Sequence, residues 1–315
     1  MNSSRAIAAA VSLLLHVPIA LGQQRPEGQI PAPPILDEIK AHNSGTAVWW
    51  TGHNGWLIKA GDTLIGTDLA TEDPGRLHRS PITAAELAPL LDIAFVTHGH
   101  GDHFNRETCR ILAERGDCAF VMPANCVAEA RRIGIPEARI EVARPREPFE
   151  LQGLRVTPLR AIHGNGRFAV YHEANLEDCG YLIELGGVTV LQPGDSVLLE
   201  DHLFLDHVDV LLFSPTEHNM HVDPSVILIN ELEPDYILPQ HRDTYRVTPE
   251  NRFWTVGYPH EVRLRLSGPL QERYHILEQG EKLVIEVGAR AAPPGSTTTE
   301  TVPADRSRPQ PAEVP

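Results

Sequence analysis

Apolar and polar residues along this chain fall into short runs with strand and helix periods. Residues 46–50, 55–60 and 63–67 are β-branched or aromatic runs, the last two divided by a Gly61-Asp62 turn, and they predict three strands, the third reaching Asp68. Another apolar run covers 93–96. Asn105 then reads as the N-cap of a helix through Glu114 stopped by Gly116, and Asn125 as the cap of a second helix ended by Gly134. Residues 155–162 alternate and finish at His163, 188–191 lead through Pro193-Gly194 to Asp195, and 235–240 form a buried run ending at His241. Helical patterns return at 225–232 and 248–258. Strands and helices thus alternate in two similar halves, which predicts an α/β fold of two face-to-face sheets with helices outside, a four-layer αββα sandwich in a single domain. Trp49, Trp50 and Trp56 belong to its core.

The flanks differ in composition. Arg5 precedes an apolar stretch from Ala6 to Leu21 that closes on Ala20-Leu21-Gly22, the outline of a secretory signal over 1–22 and hence of an exported protein, with no stable membrane anchor after cleavage. Residues 23–43 read as a linker, 44–288 as the folded domain, and 289–315, rich in Pro, Thr and Ser, as a disordered tail. A formal charge of −15 over 315 residues argues against nucleic acid and leaves a small molecule as the expected partner. Cys109, Cys118, Cys126 and Cys179 read as small buried hydrophobes. The sequence leaves the oligomeric state open.

Candidate chemistry is concentrated in Thr97-His98-Gly99-His100-Gly101-Asp102-His103, which packs three imidazoles and a carboxylate onto a glycine-hinged loop after the 93–96 run. His nitrogen and Asp oxygen are ordinary non-thiolate ligands of zinc. Three further candidates, His163, Asp195 and His241, each follow a predicted strand, where a ligand is held by a rigid element. The constellation assigns His98, His100 and His163 to one metal and Asp102, His103 and His241 to a second, with Asp195 bridging.

This ordered set resembles the metallo-β-lactamase superfamily, whose mark is a His-x-His-x-Asp-His loop followed by a His, a bridging Asp and a last His. More locally, Pro123-Ala124-Asn125-Cys126-Val127, Ile133 through Ile140, Gly194-Asp195-Ser196 and Pro239-Gln240-His241-Arg242-Asp243 resemble the L-ascorbate-6-phosphate lactonase group. The resemblance implies two divalent metals, zinc by default and manganese as a rival, and a hydroxide shared between them that cleaves a lactone, ester or phosphodiester bond, with Asp102 and Asp195 catalytic. β-Lactamase and N-acylphosphatidylethanolamine phospholipase D-like activities are alternatives within the fold; a mononuclear iron oxidoreductase is the alternative of another class. The resemblance also implies that Asp68 braces the metal loop, that His53 in Gly52-His53-Asn54-Gly55 lines the pocket, and that His218 and His221 sit on a loop facing the substrate cleft. Arg242 and Arg246 are candidates for an anionic substrate group, and His202 and His207 read as surface residues.

Overall fold

The computed structural model describes residues 34–164 and 175–286. The expected signal segment, residues 23–33 of the expected linker and the expected tail lie outside them. The last part of that linker is folded: Ile35 and Ile39, four residues apart on one face, are buried around helix α1 (Leu36–Ala41), so the domain starts before residue 44. Lys59 Nζ donates to the Ile39 carbonyl at 2.9 Å and fastens this helix to the sheet beneath it.

The first sheet is built from β1 (Thr46–Gly52), β2 (Gly55–Ala60), β3 (Thr63–Thr67), β4 (Ile93–Phe95), β5 (Ala119–Pro123) and β6 (Ile140–Ala143). The second comprises β7 (Phe149–Leu151), β8 (Leu154–Arg160), β9 (Cys179–Leu185), β10 (Val188–Gln192), β11 (Val210–Phe213) and β12 (Tyr236–Pro239). The chain then returns as β13 (Lys282–Ile285) to the first sheet, giving orders β13-β1-β2-β3-β4-β5-β6 and β12-β11-β10-β9-β8-β7. Strands β1–β3 and β7–β10 pair antiparallel, whereas β3–β6 and β10–β12 run parallel.

The period-2 alternation within each strand separates three apolar layers. In β1, Val48 and Trp50 point between the sheets to meet Tyr181, Ile183 and Leu212, while Ala47 and Trp49 point outward. That outer layer is covered by α1, α2 (Ala84–Leu87), α3 (Arg106–Arg115) and α4 (Val127–Arg132). Beyond the second sheet lie α5 (Glu200–Leu203) and α6 (Val222–Leu232), α7 (Arg252–Thr255) at the rim, and α8 (Pro259–Arg263) and α9 (Gly268–Glu272). The expected four layers are therefore present, with all three tryptophans of the pattern in the core. Among the described residues, no helix is long and apolar enough to cross a membrane.

Three local expectations are corrected. Asn105 caps α3 by accepting from the Thr108 amide at 3.0 Å, but Asn125 does not cap α4: its amide donates to Asp178 at 2.8 Å and the helix starts at Val127 after a 3-10 turn. The expected helix over 248–258 is broken, because Gly257 and Pro259 interrupt it and leave α7 and α8 as separate short turns. His202 is buried rather than on the surface, its Nδ1 accepting the Leu199 amide at the start of α5 at 3.2 Å. His207 is half-buried, 2.8 Å from Asp209. All four cysteines are buried and unpaired, as their reading as hydrophobes requires.

The turn at α5 is held by Asp201, which receives hydrogen bonds from Arg146 and Arg160, each 2.6 Å at closest. The Arg146 hydrogen bonds above all, with those of Arg160, outweigh burial and hold the Asp201 carboxyl well below the usual carboxylate range. A depressed folded-state value means that the stabilisation is complete above the unfolded value of about 3.9 and is lost as pH falls through the folded one. Asp201→Asn is therefore expected to unfold more easily at pH 7, by roughly 1–2 kcal/mol. Urea titrations should show the two proteins converging as the pH drops well below 4; an equal gap at all pH values would contradict the ion-pair origin.

Candidate metal centre

The parallel strands and hairpins bring one set of loops to a common rim. The loop after β4 carries His98, His100, Asp102 and His103; the ends of β8, β10 and β12 lead to His163, Asp195 and His241; the β1–β2 turn carries His53 and Asn54. Two glycines let these loops touch. A Cβ on Gly194, at φ +65°, would sit 2.8 Å from the Thr97 Cβ, and one on Gly164 would sit 1.6 Å from the His218 carbonyl oxygen.

All seven predicted ligands converge. His98 Nε2 is 3.0 Å from His100 Nδ1, and the rings of His100 and His163 are 4.6 Å apart between centroids. Asp102 Oδ2 lies 3.7 Å from His103 Nε2 and 3.9 Å from His241 Nε2. Asp195 stands between the two groups: its Oδ2 is 3.4 Å from His163 Nε2 and 3.1 Å from His241 Nε2, and its Oδ1 is 3.4 Å from His103 Nε2. His100 is exposed, and His163 and Asp102 are half-buried, so the cluster opens to solvent on that side.

The surrounding hydrogen bonds fix which nitrogen carries the proton on His98, His103 and His163. Asp68 is fully buried; its Oδ1 accepts from the Thr97 amide and its Oδ2 from Thr97 Oγ1 and His103 Nδ1, each at 2.9 Å. That is the bracing role expected of it. His98 Nδ1 faces Thr97 Oγ1 at 3.1 Å, and His163 Nδ1 donates to the Gly164 carbonyl at 2.5 Å. With their protons held at Nδ1, these rings turn bare Nε2 atoms inward.

The donor set fits a divalent metal. Inward-facing nitrogens without protons meet carboxylate oxygens, and the buried Asp195 Oδ1 has no hydrogen-bond partner, so a cation is what would satisfy both. Electrostatics divide the imidazoles. Burial, then the facing His103, pushes His98 well below the ordinary histidine value, and burial, then His163, lowers His100, whereas against burial Asp195, Asp68 and Asp102 hold His103 well above that value and Asp195 raises His163. Burial would raise the Asp195 carboxyl, but His241 and His103 foremost hold it well below the usual range; Asp102 is held low in the same way by His103 and His53. Ionised carboxylates and neutral imidazoles are the forms that bind metals, so His103 and His163 would release protons as an ion enters.

Sequence reasoning undervalued two histidines here. His53 is buried, with Nε2 3.0 Å from Asp102 Oδ2 and its ring 3.8 Å from that of His241. Its place in the β1–β2 turn, at φ 52°, also presents Asn54, whose amide nitrogen is 2.8 Å from His103 Nε2. His218 is buried with Nε2 2.8 Å from Asp195 Oδ2. Its companion His221 is exposed and lies edge-on to Tyr258, 5.0 Å between centroids. Arg242 is not available to an anionic substrate: it is buried, stacked 4.1 Å over Trp50, and donates to the Leu277 carbonyl and to Asp243. Arg246 is exposed.

A domain family described as Beta-lactamase superfamily domain matches residues 62–241. A UPF0173 metal-dependent hydrolase of Methanosarcina mazei is 23% identical over 248 residues, which span 75% of this chain and 97% of that protein. Among solved structures, Igni18, a metallo hydrolase from Ignicoccus hospitalis, superposes with a TM-score of 0.60 at 19% identity, covering 77% of this chain and 99% of its own. CmlA, a diiron β-hydroxylase from Streptomyces venezuelae, gives a TM-score of 0.56 at 18% identity over 76% of this chain and 54% of its own. At these identities, the structural likenesses carry the fold.

Proposed function

Because the chain belongs to the beta-lactamase superfamily, we propose that it is a metal-dependent hydrolase that holds two divalent ions, zinc by default, and cleaves a lactone, ester or phosphodiester bond of a small molecule. The observation that carries this reading is the buried Asp195 carboxylate, one oxygen without a partner, set between two groups of inward-facing imidazole nitrogens. When bound, the metals would acidify water toward neutrality and polarise a carbonyl or phosphoryl oxygen. The residues supply the rest. Asp195 offsets positive charge from both sides; Asp102, held ionised and fixed by the His53 hydrogen bond, orients the group that attacks at the open side of the cluster. Asp68 and Thr97 keep His98 and His103 in one tautomer, so that no ring must reorient during a cycle.

The UPF0173 relative supports hydrolysis by its description, and the CmlA likeness keeps iron oxidation on the same fold as the competing outcome. The decisive experiment is elemental analysis of protein purified without chelator, combined with assays on lactone, phosphodiester and β-lactam substrates. Close to two zinc or manganese ions per chain with turnover of one such substrate is expected. A stable content of redox-active iron without hydrolysis would overturn the proposal.

A further inference from the structure

The loop between β11 and α6 carries an imidazole that stands outside the seven ordered ligand positions. We propose that His218 is itself a metal ligand, completing a His163–Asp195–His218 donor set within the centre. This inference rests on the metal-centre reading above and deepens it.

Three observations carry it. The ring's Nδ1 is 3.0 Å from the Phe253 carbonyl oxygen, which can only accept, so the proton belongs at Nδ1 and the lone pair at Nε2. That lone pair is aimed at Asp195 Oδ2 from 2.8 Å, with both residues buried, an unfavourable meeting of two acceptors that a shared cation would turn favourable. The spacing also suits one ion. Two ligands at ~2.0–2.2 Å from the same zinc lie roughly 2.8–3.6 Å apart for angles between square and tetrahedral. His218 Nε2 and His163 Nε2 stand 2.8 and 3.4 Å from Asp195 Oδ2, and one donor atom from each of the three residues lies within 4.8 Å of the others.

The ring is also held in place before any ion arrives. Its backbone carbonyl is in close contact with Gly164, beside His163, and its ring makes edge-to-face contacts with Phe253 at 5.8 Å and His241 at 5.2 Å between centroids. A ligand fixed by its neighbours loses little freedom on binding. The competing account is that His218 is doubly protonated and merely links Asp195 to the Phe253 carbonyl.

The test uses the full chain loaded with zinc, with affinity measured by competition against a chelating indicator and imidazoles per zinc counted by X-ray absorption. His218→Ala should lower zinc affinity by on the order of 10- to 100-fold and reduce the imidazole count, with His100→Ala as the reference loss. His218→Gln fills the same space and can still hydrogen-bond Asp195, so it guards against a variant that fails to fold. If either folded His218 variant keeps wild-type affinity and imidazole count while His100→Ala loses them, His218 is no ligand and the proposal is overturned. If His100→Ala also binds zinc unchanged, the metal-centre reading fails with it.

Discussion

Asp195→Asn is expected to fold and to lose on the order of 10²-fold or more in kcat, the loss of several kcal/mol of transition-state stabilisation. The substitution keeps the shape of the side chain and removes its charge. In the wild type that charge is buried among His103, His163, His218 and His241, and burial makes each of those interactions stronger than it would be in water. Without it, the two cations proposed for this centre would repel with less charge between them to compensate. The apolar layer between the sheets does not depend on the carboxylate, so circular dichroism should be unchanged. Steady-state kinetics at saturating metal, on any substrate the wild type turns over, decide the matter: near-wild-type turnover by a metal-replete variant would show that Asp195 is not central to the reaction.

The second large effect is expected from Asp68→Ala, in stability as well as metal binding. It leaves the Thr97 amide buried without an acceptor and takes the carboxylate from Thr97 Oγ1 and His103 Nδ1, which keep each other at 3.2 Å, at about 1–3 kcal/mol per lost hydrogen bond before relaxation. Alanine is also poorly suited to the φ of +46° that aspartate tolerates here. A loss of about 3 kcal/mol or more is expected in denaturant titrations, with zinc affinity lowered 10- to 100-fold because His103 no longer has a fixed tautomer. A variant with wild-type midpoint and affinity would refute the bracing role.

Much of this was legible in the sequence because its signals are local. The four side chains of the 98–103 loop announce themselves by spacing, and His163, Asp195 and His241 by standing at the ends of apolar runs. The sandwich was legible for the same reason, since strands buried on both faces, such as β1, read as unbroken apolar segments. What was missed depends on contacts distant in sequence. His218 lies five residues past the end of β11, on a loop whose direction is set by Gly164 and Phe253 rather than by its own residues. The apolar run 210–213 just before it was the available signal that another strand ends at the same rim. His202 was misread because its neighbours Asp201 and Asp206 suggest solvent, but Arg146 and Arg160 capture Asp201 from outside and turn the imidazole inward. The failed helix over 248–258 had its breakers, Gly257 and Pro259, in plain view.

The centre is shared between halves of the molecule. His53, Asp68 and the 98–103 loop hang from one sheet, while His163, Asp195, His218 and His241 hang from the other, and hydrogen bonds such as Tyr181 Oη to the Val96 carbonyl at 2.8 Å and the His241 amide to the His53 carbonyl at 2.9 Å join the two beside it. An ion bound there would add a further rivet, and its affinity and the docking of the two halves would become one equilibrium observed in two ways. Scarcity of metal would then shorten the lifetime of the protein, through opening of that rim to proteases, besides idling the centre.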